Sequence, residues 1–144
     1  MFWGQTGIAL DGRNGTLSLG IASINPCTGG GLAKCPAEPK DPEALRRDMA
    51  KGLYACRPAA QKCTVSTRPN GRRQRVQTMV SLGGFVSQET NIELADGRAL
   101  MIFVDNQFRS PAHGNHVVIP QRTTPLSPTE ITAIATAIAD QILP

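Results

Sequence analysis

The sequence predicts a single α+β domain over residues 1–144, in which an antiparallel meander sheet with an N-terminal hairpin packs against one short helix and a C-terminal amphipathic helix. Three observations predict this fold class. Short runs of alternating apolar and polar residues are separated by Gly-containing turns. Two segments have helical periodicity behind a helix-start signal. Four cysteines lie in or beside turn-rich sequence, where they can form two disulfides.

The composition is that of one folded domain with an aliphatic core. Hydrophobic residues make up 40% of the 144 residues but aromatic residues only 4%, so aliphatic side chains must fill the core. The 14 Gly and 11 Pro favour many turns. A net charge of +4 is mild, and a nucleic-acid-binding protein concentrates its charge more strongly, so we expect no nucleic-acid partner.

Residues 3–24 predict the N-terminal hairpin. The turn-rich segment 11–15 separates an apolar run from residues 16–22, which alternate. The alternation places three apolar side chains on one face, namely Leu17, Leu19 and Ile21.

Residues 25–40 predict a loop, and a short helix begins after it. Asp41 can cap this helix, Pro42 fits its first turn, and Glu43 suits its positive dipole end. An apolar stripe then recurs every four residues, at Leu45, Met49 and Leu53. The basic residues between them indicate a solvated face.

Residues 63–105 predict a four-stranded antiparallel meander. The turns between its strands are Asn70-Gly71, Gly83-Gly84 and Asp96-Gly97. The predicted strands are 63–68, 73–82, 85–94 and 99–104. Residues 100–104 are apolar on both faces, so this strand should be central in the sheet.

Charged side chains alternate with apolar ones along the two middle strands of this meander. Arginines on the strand at 73–82 and glutamates on the strand at 85–94 then share a polar face, and we expect a cross-strand pair such as Arg75–Glu93. On a solvated surface such a pair contributes at most about 1 kcal/mol. This pairing disfavours a phosphate-binding patch at residues 72–75.

The C-terminal helix has the clearest local signal. Ser127-Pro128-Thr129-Glu130 is a capping box, in which the Ser127 hydroxyl and the Glu130 side chain satisfy each other's backbone N–H groups. One continuous apolar face follows, formed by Ile131, Ile134, Ala135, Ile138, Ala139 and Ile142. This face should pack on the sheet.

The four cysteines favour disulfides over zinc ligands, because neither pair has zinc-site spacing. Three pairings are possible, and we favour Cys27–Cys35 with Cys56–Cys63 because each closes a short turn-rich segment. Each would stabilise the fold by about 2–3 kcal/mol.

Disulfides imply an oxidising, extracytoplasmic compartment, either secreted or at the cell surface. Residues 1–4 have no signal-peptide pattern and no run is long enough to span a membrane, so we expect any anchor to precede this segment.

No motif indicates catalysis, a cofactor or a metal. His113 and His116 lie in a segment with loop composition, which rarely holds two metal ligands rigidly. There is no G-x-S-x-G nucleophile motif, and Gly29-Gly30-Gly31 lacks the Lys-Ser/Thr of a phosphate loop. We therefore predict no catalytic, cofactor-binding or metal-binding residues, and we regard an enzyme that uses either histidine as the weaker alternative.

The order of these features resembles uncharacterised extracytoplasmic domains of actinobacterial membrane proteins and lipoproteins. The similarity spans residues 5–142 and rests on a cysteine-flanked Cys63-Thr64-Val65 strand, hairpin turns, and a closing helix that starts at Pro125-Leu126-Ser127. The Asn70-Gly71 turn and the Gln-rich second strand depart from that pattern. The resemblance implies an anchored sensor or binding ectodomain, with extracytoplasmic-function sigma-factor systems as partners of some relatives, and it implies no catalytic residues.

The sequence thus favours a non-catalytic binding or sensor domain whose ligand, a protein or a small molecule, is unknown. One alternative is a secreted inhibitor of an extracellular hydrolase that presents residues 57–62 as a disulfide-braced loop. Another is a structural subunit that self-assembles into a homo-oligomer through the edge strand of the N-terminal hairpin.

Overall fold

The described part of the chain forms eight strands and two helices. The computed structural model describes residues 2–22, 41–110, 114, 116–119 and 121–142, without the side chains of residues 42, 45, 46, 109 and 110. The elements are β1 Phe2–Leu10, β2 Arg13–Ala22, α1 Pro42–Tyr54, β3 Ala60–Thr67, β4 Arg73–Val80, β5 Val86–Glu93, β6 Ala99–Asp105, β7 Phe108–Ser110, β8 His116–Val118 and α2 Pro128–Ile142. The predicted α+β class is confirmed. The predicted loop 25–40 lies outside the described residues.

Six strands form one antiparallel sheet in the order β1-β2-β6-β5-β4-β3, and β7 pairs with β8 in a separate hairpin. The predicted meander supplies β3 to β6, and the N-terminal hairpin joins it through the pairing of β2 with β6. Strand β6 therefore has a neighbour on each side, as its apolar sequence predicts.

The hairpin of β1 and β2 closes in a tight two-residue turn. Asp11 and Gly12 both have positive φ, at 50° and 74°, and the flanking residues Leu10 and Arg13 pair across the turn. Positive φ at both central residues is typical of a type I′ turn, whose twist matches that of the strands.

Helix α2 packs on one face of the sheet, which we call the apolar face. The predicted capping box is present, since Ser127 N donates to Glu130 Oε2 at 2.7 Å and Glu130 N donates to Ser127 Oγ at 3.3 Å. The core beneath the helix is fully buried and comprises Ile92, Leu94, Leu100, Ile102, Val104, Ile131, Ala135 and Ala139. The buried stripe is narrower than predicted, because Ile134 and Ile142 are exposed.

Helix α1 packs on the opposite face, which we call the polar face and which carries Arg75, Gln77, Glu89 and Asn91. Asp41 caps the helix as predicted, accepting hydrogen bonds from Glu43 N at 3.0 Å and Ala44 N at 2.9 Å. A second, smaller core lies under it, formed by Ala22, Tyr54, Ala99 and Met101. The sheet is thus covered on both faces.

The predicted solvated ladder of arginines and glutamates is wrong in two respects. Arg75 and Glu89 are buried, with 0% and 1% exposure, because α1 covers this face. The partner of Arg75 is Glu89, and Glu93 instead pairs with Arg73. The alternation of faces along β4 and β5 is as predicted; only the burial and the partners differ.

Candidate functional site

One disulfide is found in the described residues, between Cys56 and Cys63. Its Cα atoms are 5.8 Å apart, and it joins the segment that follows α1 to strand β3. This is one of the two predicted pairs; Cys27 and Cys35 lie outside the described residues. Strand β3 already begins at Ala60, and Ala60 N donates to Arg57 O at 2.9 Å. Only residues 57–59 of the predicted loop 57–62 therefore lie outside β3, and they form a short turn.

Removing this disulfide with the double substitution Cys56→Ala and Cys63→Ala should lower the free energy of unfolding by about 2–3 kcal/mol, because the closed loop restricts the unfolded chain. Urea denaturation under non-reducing conditions measures the change. The matched control is Ala55→Ser with Thr64→Ala, exposed neighbours outside the bond. A loss no larger than that of the control would contradict the prediction.

The polar face holds a buried network centred on Glu89. Its carboxylate accepts hydrogen bonds from Arg75 Nη2 and, at 2.6 Å, from Gln77 Nε2. Arg57 lies 3.6 Å from the same carboxylate, and its backbone N–H donates to Gln77 Oε1. A buried carboxylate with a guanidinium and an amide as partners is compensated for the loss of water.

The same network closes the C-terminal end of α1. Arg75 Nη1 donates to Gly52 O at 3.0 Å and to Ala55 O at 2.7 Å, and Asn91 Nδ2 donates to Leu53 O at 2.7 Å. These carbonyls lack partners inside the helix, and the negative end of the helix dipole favours a cation there. Two polar atoms of the network, Arg75 Nε and Asn91 Oδ1, are buried without a hydrogen-bond partner among the described residues. The other groups bond to one another and to the end of α1, so we assign the network to fold stability.

Arg73 and Glu93 form a more exposed pair at the edge of α1. Arg73 Nε and Nη2 each donate to the Glu93 carboxylate at 2.9 Å, which holds the pKa of Glu93 below its ordinary value. The Arg73 guanidinium also lies 4.6 Å from the centre of the Tyr54 ring. Burial raises the pKa of Tyr54, so its hydroxyl stays protonated.

His116 is the one histidine in the part of the chain that the structure describes. His116 lies exposed on β8, and His113 is outside the described residues. No group of three His, Cys, Asp or Glu side chains that could hold a metal occurs among the described residues.

A cleft of about 580 Å³ opens on the polar face between the β1–β2 hairpin and the β7–β8 hairpin. Its lining includes three amide side chains, one carboxylate and two larger apolar side chains from the second hairpin. These are Gln5, Asn14, Gln107, Asp105, Phe108 and Val117. Binding clefts for small molecules have volumes of this order and a few convergent polar groups.

Asp105 is the carboxylate of this cleft. It is partly buried at the end of β6 and accepts a hydrogen bond from Gln107 N at 2.9 Å and another from the backbone of Thr16. Among the side chains that the structure describes, no cation pairs with it. Burial outweighs the two backbone hydrogen bonds and raises the pKa of Asp105 above its ordinary value of 3.8.

The raised pKa predicts a pH dependence of stability. The folded state disfavours the charged carboxylate of Asp105. The protonated carboxyl therefore contributes fully to the free energy of unfolding below pH 3.8, and this contribution is lost as the pH rises through the folded-state pKa. Asp105→Asn keeps an oxygen acceptor and removes the charge, so it should gain stability over the native chain across that window. Melting temperatures of the native chain and of Asp105→Asn, measured from pH 3 to pH 7, would show this gain. A constant difference in melting temperature across this pH range would contradict the prediction.

Gly15 lies on β2 beside the cleft, close to the backbone of Asp105 and to the ring of Pro125. A Cβ at this position would lie 2.0 Å from the Asp105 carbonyl oxygen and 2.7 Å from the Pro125 ring. The sheet and the segment before α2 can therefore meet here only over a glycine.

Gly15→Ala should lower the free energy of unfolding by about 1–3 kcal/mol, because backbone and a proline ring must shift to admit the methyl group. Gly7→Ala is the matched control on the neighbouring strand, where an added Cβ meets nothing within 4 Å. Gly15→Ala should unfold at a lower denaturant concentration than Gly7→Ala. Equal denaturation curves would show that the Asp105 backbone and the Pro125 ring shift without a cost in stability.

No sequence motif marks this cleft. Its lining residues come from the first 16 residues and from residues 105–117, and only the pairing of β2 with β6 brings them together. The one available signal was Asp105, an acidic residue that ends an otherwise apolar strand.

No helix in the described part of the chain is long and apolar enough to cross a membrane. Comparisons of the chain with protein-family models, with curated proteins and with solved structures found no match.

Proposed function

We propose that this chain is a non-catalytic binding domain of the extracytoplasmic space and that the cleft between its two hairpins is the ligand site. The observation that carries the proposal is Asp105, a partly buried carboxylate that the described side chains leave without a cation. A buried charge of this kind costs stability, and a ligand that supplies the missing positive charge recovers that cost.

The lining indicates the chemistry of the ligand. Asp105 would accept hydrogen bonds from an ammonium group, and the amides of Gln5, Asn14 and Gln107 would bind neutral polar groups around it. Phe108 would cover an apolar part of the ligand. A small amine with hydroxyl or apolar substituents fits these properties best.

The absence of a paired reactive group supports binding over catalysis. Asp105 is the one titratable side chain among the described residues that line the cleft. General acid–base chemistry on two sites needs a second group, and a hydroxyl nucleophile needs a base held against it. Thr16 does not fit that role, because its hydroxyl donates to Gln107 O at 2.6 Å.

The disulfide supports the compartment. A bond between Cys56 and Cys63 persists in an oxidising environment, such as the exterior of a cell or a secretory compartment. This agrees with a sensor or binding ectodomain, which is what the resemblance to actinobacterial extracytoplasmic domains implies.

Isothermal titration with a panel of primary amines and amino sugars, including putrescine and glucosamine, tests the proposal. We expect at least one to bind the native chain, and Asp105→Asn to weaken it about tenfold or more, as expected for a lost charge-assisted hydrogen bond. Asp48→Asn is the control, since it removes the same charge from an exposed site on α1. Equal weakening by both variants would reduce the effect to net charge and contradict the site.

A further inference from the structure

Strand β1 is an outer strand of the six-stranded sheet and has an unusual sequence for that position. Its nine residues, Phe-Trp-Gly-Gln-Thr-Gly-Ile-Ala-Leu, contain no charged residue and no proline. Soluble proteins normally protect an outer strand with charges, proline or a bulge, because its free backbone groups can pair with another strand. The pairing of β1 with β2 runs without a register shift over all nine residues.

The turn of the hairpin determines which backbone groups of β1 face outward. Leu10 and Arg13 flank a two-residue turn, so they exchange backbone hydrogen bonds. Such pairs alternate with non-hydrogen-bonded ones along an antiparallel ladder. The even-numbered residues therefore bond to β2. Four odd-numbered residues direct their N–H and C=O groups to the outer edge, where no described strand pairs with them, namely Trp3, Gln5, Gly7 and Ala9.

We propose that β1 pairs with β1 of a second copy of this chain, antiparallel and centred on Thr6. This register places Trp3 opposite Ala9 of the second copy and Gln5 opposite its Gly7, so that all the outward backbone groups pair with one another. Thr6 then faces Thr6 of the second copy in a non-hydrogen-bonded pair.

Exposed apolar side chains support the same register. Phe2 is 64% exposed and Leu10 is 39% exposed, and centring the pair on Thr6 brings each against the other across the interface. Shifting the centre to an outward residue such as Gln5 or Gly7 leaves one of them unpaired and shortens the ladder.

Charge also favours a second copy as the partner. An uncharged strand can pair with itself without placing like charges opposite each other, which would destabilise the pair. The two sheets would become one continuous sheet of twelve strands, and both clefts would open on the same side of it.

Light scattering of the native chain after size exclusion tests the dimer. We expect a concentration-dependent mass that approaches twice 15.3 kDa. Thr6→Lys should hold the mass at 15.3 kDa, because two ammonium groups would lie directly opposite each other. Thr6→Val, another β-branched residue, should dimerise like the native chain. A native chain that stays monomeric up to its solubility limit, or that pairs only with an added extended peptide, would overturn the proposal.

Cross-linking tests the register. Thr6→Cys should give a covalent dimer on a non-reducing gel after mild oxidation, because non-hydrogen-bonded pairs bring side chains close together. Gly4→Cys is the control on the same strand and face, since it would lie opposite Ile8 of the second copy; a Cβ at Gly4 approaches no atom closer than 4.0 Å. Equal cross-linking by both variants would overturn the register. Asp105→Asn should dimerise normally, which separates this inference from the ligand site.

Discussion

Replacing Arg75 by Met is expected to lower the free energy of unfolding by about 3–5 kcal/mol, because the substitution leaves the Glu89 carboxylate buried without its main partner. Arg75 is fully buried and bonds to Glu89 and to two carbonyls at the end of α1. Met keeps most of the volume but supplies none of these donors. Urea denaturation followed by circular dichroism would measure the change.

Arg57→Met is the matched control for Arg75→Met. It removes the same charge from the same carboxylate, but the Arg57 side chain is 50% exposed and lies 3.6 Å from Glu89. Its loss should cost less than about 1 kcal/mol. The double variant Arg75→Met with Glu89→Leu should recover part of the loss, because it removes the unpaired charge while leaving the helix carbonyls unsatisfied. Similar losses for the two arginines would show that Glu89 is solvated in spite of α1.

Ile131→Ala is expected to lower the free energy of unfolding by about 2–5 kcal/mol, since the side chain is fully buried between α2 and the sheet and its removal leaves a cavity. Ile134→Ala provides the control on the same helix, where the side chain is 38% exposed and water can fill the space. The denaturation midpoint of Ile131→Ala should be lower than that of Ile134→Ala. Equal midpoints would mean that α2 does not pack as a fixed layer.

Local features of the fold could be predicted from the sequence. The start of α2 depends on four adjacent residues, and the start of α1 on Asp41 and the two residues after it. The strands of the meander follow from alternation and from turns that require glycine at positive φ, such as Gly71 and Gly97. Each of these signals acts within a few residues, so no tertiary contact is needed to recognise it.

The partners of Arg75 could not be predicted in the same way. Alternation determines the face of a side chain, but a register shift of two residues keeps every face and changes every partner. The connection from β4 to β5 runs from Ser81 to Phe85, and it sets Arg75 opposite Asn91 and Gln77 opposite Glu89. The burial of this face depends in turn on α1, and the alternation of residues along β4 and β5 does not indicate where α1 lies.

The cleft could not be predicted either, because its lining residues are still farther apart in the sequence. Asn14 and Asp105 are 91 positions apart in the sequence and come together because β2 pairs with β6. The periodicity of residues along a strand does not indicate which distant strand it pairs with. A single carboxylate at the end of a strand also forms no spacing motif. Sites built in this way become visible only when the sheet order is known.

The capping of α1 by Arg75 and Asn91 has a consequence for the order in which the chain acquires its structure. The helix precedes both residues in the sequence, so its terminal carbonyls stay exposed to water until β4 and β5 have paired. The end of α1 therefore gains these caps only when the hairpin of β4 and β5 is present. In a chain that is made from its N-terminus, α1 is synthesised before β4 and β5 but would gain these caps only after both strands are in place.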